Sequence, residues 1–119
     1  MFLHFVLKYP MDELELLTEF QDRHRDHLVY EGGYHLPTPA ELLEQLFADW
    51  RQRVYRFEND LGASVVFYQP LAKPIMTWDV VLAKFFGDDP FDFRYGGAMR
   101  SNIRWREVQQ LLDQIKNKG

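Results

Sequence analysis

The sequence predicts an α+β domain, a small antiparallel sheet packed against about four helices, with residues 1–119 forming a single globular unit. Three observations predict it. Arg51–Glu58 and Ala63–Tyr68 are rich in β-branched and aromatic residues. They flank Asn59-Asp60-Leu61-Gly62, whose Asn and Asp bond their own backbone and open a turn. Elsewhere, apolar residues recur at helical spacing in four stretches. The chain is also 46% hydrophobic, with 10 Phe, 6 Tyr and 3 Trp, which is enough apolar area to offset the cost of ordering.

The elements follow in chain order. Leu3, Phe5 and Leu7 alternate with His4, Val6 and Lys8, as in a strand that Pro10 ends. A helix is expected from about Asp12 to Tyr30, with acids in its first turn and the stripe Leu16, Leu17, Phe20, His24, His27 and Leu28. Gly32-Gly33 would stop it. Thr38-Pro39-Ala40-Glu41 has the N-cap, first-position proline and capping-box acid of a second helix, carrying Leu43, Leu46, Phe47 and Trp50. The hairpin comes next, its turn expected to close through a glycine bulge with Gly62 at positive φ. Pro70 and Pro74 flank a connector. Thr77 would cap a third helix with the stripe Trp78, Val81, Leu82 and Phe85, although Val80-Val81 also suits a strand, and residues 78–86 stay open between the two. Phe91–Met99 reads as irregular because Gly96-Gly97 lies inside it. Ser101 or Asn102 would start a last helix bearing Trp105, Val108, Leu111, Leu112 and Ile115. The order is β-α-α-β-β-α-α.

Composition narrows the function. Fourteen Lys and Arg against 18 Asp and Glu give a net charge of −4, which argues against coating nucleic acid through bulk charge. With no cysteine, disulfides, thiolate chemistry and Cys-based zinc sites are excluded, and a reducing, cytoplasmic setting is the simplest expectation. The apolar start lacks a positive segment and is cut short by Lys8 and Pro10, unlike a signal peptide. No apolar run approaches the ~20 residues that span a bilayer. Only two serines occur, Ser64 and Ser101, and neither sits in a Gly-x-Ser-x-Gly elbow. Carboxylates such as Glu13, Glu19, Asp22, Glu41 and Glu44 offer no spacing that selects a catalytic pair.

Four stretches carry chemistry. Phe93–Arg106 holds Arg94, Arg100, Arg104 and Arg106 and no acid, with Tyr95 and Trp105 between them. Three of the arginines fall at or near an expected helix N-terminus, where the dipole disfavours positive charge. Glycines, free N–H groups and guanidinium forks there suit a phosphate or a partner's carboxylate, and the two rings could stack on a base. The bland alternative is surface pairing with Asp88, Asp89 and Asp92. His24 and His27 share a helix face and His35 follows. With Asp26 or Glu31 they compose a weak metal-ligand set, against which stands packing of both histidines on the sheet. The loop Tyr30–Thr38 is either a contact loop or a staple in which Tyr34 and Leu36 enter the core. Arg51 and Arg53 share a strand face with Tyr55 and Phe57. That face is either solvated, with snorkelling arginines, or a binding surface.

These readings rank a small intracellular protein-binding module first. It would be of the inhibitor or immunity type, microbial or viral, and would occlude a partner protein through Arg94, Tyr95, Arg100, Arg104, Trp105 and Arg106. No catalytic residue, cofactor or membrane is assigned, and homodimerisation through exposed rings stays open. A nucleic-acid or phosphate binder using Arg94–Arg106 comes second. A metal-dependent hydrolase at His24, His27 and His35 comes third.

Overall fold

Among the described residues, five strands follow one another as a meander, each antiparallel to the next, in the order β1-β2-β3-β4-β5. They are β1 (Leu28–Gly33), β2 (Trp50–Arg56), β3 (Leu61–Tyr68), β4 (Trp78–Phe85) and β5 (Phe93–Ile103). An α-helix, α1 (Trp105–Lys116), follows β5, and a 3₁₀ turn spans Arg25–His27. The computed structural model describes residues 21–35, 50–68 and 77–118. The N-terminal strand, the first part of the first helix, the Thr38 helix and the Pro70–Pro74 connector expected from sequence lie outside them.

The expected four-helix arrangement is therefore wrong: the described residues form mostly antiparallel sheet with a single α-helix. Residues 21–30, expected at the end of a helix, form coil, the 3₁₀ turn and the start of β1, and Gly32 and Gly33 belong to that strand. Residues 78–85 are the strand β4, not a third helix. The segment read as irregular is the 11-residue strand β5. The last helix starts four residues after Ser101, with Arg104 as its N-cap.

The hairpin is as expected, with Arg51 paired to Phe67 and Arg56 to Gly62. Its turn differs. Asp60, not Gly62, takes positive φ, at 61°. Gly62 is needed for closeness instead, since a Cβ there would lie 1.7 Å from the Tyr55 carbonyl oxygen. Asn59 ties this turn to the helix. Its Oδ1 accepts the Leu61 N–H at 3.1 Å, and its Nδ2 donates to the carbonyls of Ile115 at 3.0 Å and Lys118 at 2.6 Å. Those carbonyls lie at the helix C-terminus, whose last oxygens lack partners within the helix.

Side chains alternate across the sheet, so each strand contributes to two layers. Tyr55, Phe57, Ala63, Val65, Phe67, Trp78, Val80 and Leu82 point to one face and pack against Trp105, Val108, Leu112 and Ile115 of α1. The helical stripe read from the sequence is the one that is buried. On the opposite face Val54, Ala83 and Phe85 form a smaller cluster with Tyr30, Phe91 and Phe93.

Candidate functional site

The two faces hold two different sites. Beneath the helix lies a polar network centred on Asp22, whose side chain is fully buried. Its carboxylate accepts four hydrogen bonds: from Tyr55 Oη at 2.6 Å, Arg53 Nη1 at 3.2 Å, the His24 N–H at 3.0 Å and Gln109 Nε2 at 3.2 Å. Arg53, itself 1% exposed, also pairs with Glu31. Gln109 Oε1 accepts the Arg23 N–H at 2.9 Å, and Trp105 Nε1 donates to the Gln21 carbonyl at 2.9 Å. His24 Nε2 and Arg23 share the two oxygens of Asp113, at 2.6 and 2.7 Å. Residues 21–27 are thus pinned between β2 and α1. Burial, and then the neighbouring Asp22 carboxylate, raises the Tyr55 pKa well above its ordinary value, so the phenol stays a donor. Each of these groups is engaged by another, which makes this a structural clamp.

That clamp overturns three expectations. The Arg51–Phe57 face is not a solvated surface of snorkelling arginines, because Arg53, Tyr55 and Phe57 are in the interior. Asp22 is not part of the expected Asp12–Tyr30 helix but lies in coil ahead of the 3₁₀ turn. Trp105 is 3% exposed and packs on Trp78 at 5.1 Å between centroids, so it offers no surface to a partner.

The histidines do not converge. His24 is buried against Asp113, and His27 packs on Phe57 with centroids 4.9 Å apart. His35 stacks on Phe91 at 3.7 Å, on the other side of the sheet. Among the described residues no group of three or more His, Asp or Glu is placed to hold a metal.

The arginine segment is split by the strand it forms. In β5, Arg94 pairs with Lys84 and Arg100 with Val80, which places both on the helix side of the sheet. Arg94 also sits over the Phe86 ring at 5.5 Å. Arg104 and Arg106 are exposed at the start of α1, where Glu107 accepts the Arg104 N–H at 3.5 Å. Tyr95 pairs with Ala83 and Met99 with Val81, on the opposite face.

That opposite face carries the second site, a pocket of about 520 Å³. Ser64, Val66 and Val81 from the central strands form its floor, Tyr34 and Trp50 one side, and Tyr95, Gly97 and Met99 the other. The Tyr34 N–H donates to the Trp50 carbonyl at 3.1 Å and extends the β1–β2 ladder to the pocket's edge. The far wall exists because β5 is bulged. Between the pairs Ala83–Tyr95 and Val81–Met99, two residue steps of β4 face four of β5. Gly97 absorbs this with φ 86°, and such bulges bend a strand. A second irregularity follows at Asn102, φ 55°, whose N–H is accepted by Asp79 Oδ1 at 2.9 Å. Among the described residues Asp79 is the one charged residue in the pocket lining. Partial burial, and then Tyr34, raises the Tyr95 pKa, keeping that ring neutral.

No family model, characterised protein or solved structure matches the chain. The site is therefore read from its own chemistry. No helix among the described residues is long and apolar enough to cross a membrane.

Sequence reasoning found Tyr34 and Tyr95 but missed Trp50, Val66, Asp79, Val81 and Met99 as one surface. The available signal was Val65-Val66-Phe67, apolar on both alternations, which marks a strand covered or used on both faces.

Proposed function

We propose that this protein is a small protein-binding module of the inhibitor or immunity type, which docks its partner on the open face of the sheet and acts by occlusion. The observation that carries this reading is the pairing of exposed Tyr95 (59%) and Met99 (61%) on one strand with a mostly apolar pocket beside them. Single exposed apolar residues are ordinary. A tyrosine and a methionine flanking a pocket with a tryptophan in its wall are the composition of interface hot spots. Arg94 and Arg100 lie on the same strand but on the helix side of the sheet, outside this contact.

Photo-crosslinking tests the reading. A benzophenone side chain is placed at position 95, and at exposed Gln114 on α1 as control, in the host cell. A discrete adduct at 95 and none at 114 supports it, and an adduct of two copies of the chain would identify the partner as itself. Equal adducts at both positions, or none at 95, would contradict it.

A further inference from the structure

The pocket on the open face combines aromatic walls with one carboxylate. Tyr34, Trp50 and Tyr95 line it, and among the described residues Asp79 is the single charged one in that lining. Asp79 is half-buried, and its Oδ1 accepts the Asn102 N–H. Among the described residues no Lys, Arg or His pairs with it. Elsewhere among the described residues Asp22 and Glu31 hold Arg53, and Asp113 holds Arg23 and His24. The strand geometry keeps nearby cations away among the described residues. Arg94 and Arg100 fall on the other face by register, and Arg56 is spent on Asp60 and the Gly87 carbonyl.

We infer that this pocket receives a basic side chain, lysine or arginine, of the docked partner. The inference rests on the docking reading above and names what the partner inserts. Two physical terms favour a cation with an aliphatic stem. Tyrosine and tryptophan faces attract a cation electrostatically, tryptophan most strongly. A carboxylate in a mostly apolar wall is screened less than one in open water and favours an opposite charge over a neutral group. The apolar floor of Val66 and Val81 suits the methylene stem, which lysine and arginine bury while their charge sits at the tip. A neutral Tyr95, held protonated by its surroundings, adds a π face without a competing negative charge. The net charge of −4 draws the same kind of partner.

The test uses the full chain and four small probes: the Nα-acetyl amides of arginine and lysine, and of the neutral analogues citrulline and norleucine. Backbone amide NMR shifts of Asp79, Val81 and Met99 report on the pocket. The inference expects at least one cationic probe to shift these amides, with affinity about tenfold or more above its neutral analogue. In Asp79→Asn that ratio should fall to near one, while the carboxamide oxygen of the new side chain still accepts the Asn102 N–H and keeps the bulge. Equal binding of neutral and cationic probes, no binding of either cation, or a ratio that survives Asp79→Asn would each overturn it. The wild-type comparison stands without any variant. Loss of cation preference alone leaves crosslinking at position 95 intact, and loss of crosslinking alone leaves probe binding intact, so the two readings fail separately.

Discussion

The two faces of the sheet differ in how they treat polar groups. On the helix side Asp22, Arg53, Tyr55 and Gln109 are buried and spend their hydrogen bonds on each other. On the open side no cation among the described residues meets Asp79, and Tyr95 and Met99 stand in solvent. Buried polar groups are tolerable when satisfied and costly when one partner is missing. The helix face is thus where changes cost stability, and the open face is where they cost binding.

The largest effect is expected at the hairpin that joins the faces. Gly62→Ala places a Cβ on the Tyr55 carbonyl oxygen, so β2 and β3 must part. We expect a loss of more than about 4 kcal/mol, seen as collapse of amide NMR dispersion. A folded, dispersed Gly62→Ala protein would show that the close approach is not required. Next comes Asp22→Ala. It strands Arg53 in the interior and deprives Tyr55 and Gln109 of their acceptor, and breaking a buried pair this way costs about 3–5 kcal/mol, measured by urea unfolding. A loss under about 1 kcal/mol would remove the clamp from the account.

Tyr55→Phe is expected to cost less, about 1.5–3 kcal/mol, the range for a hydrogen bond to a charged group. It also sharpens the comparison through pH. The Tyr55 pKa is raised in the folded state by burial and by Asp22, so the folded protein holds this proton more tightly than the unfolded chain. Its contribution is complete below the unfolded tyrosine value of about 10 and is lost as pH rises beyond it. Urea midpoints taken through that alkaline range should fall more steeply for the wild type than for Tyr55→Phe.

How much of this was legible depended on whether one period dominated. The last helix was, because Trp105, Val108, Leu112 and Ile115 fit helical spacing, and those four are buried. The hairpin was, because β-branched runs bracket a short turn. Strand β4 was not. Trp78, Val81, Leu82 and Phe85 fit a helical stripe, yet Trp78, Val80 and Leu82 fill one face of the sheet while Ala83 and Phe85 fill the other. A strand covered on both faces loses its alternation. Strand β5 was hidden by Gly96-Gly97, which read as a break but form the bulge that shapes the pocket wall. Arg53 looked exposed because nothing in the local sequence shows that Asp22, 31 residues away, will meet it. Asp79 carried no signal until the registers of β4 and β5 set it beside Trp50 and Tyr95.

The division between the faces is the central claim, and one unfolding series tests it most directly. Tyr95→Thr/Met99→Thr keeps strand propensity on β5 and removes both exposed side chains. Against Asp22→Ala in the same urea titration, the account predicts that the open-face pair stays within about 0.5 kcal/mol of wild type per substitution and that the clamp variant loses several. Comparable losses from both would contradict it, because the open face would then be holding the fold together.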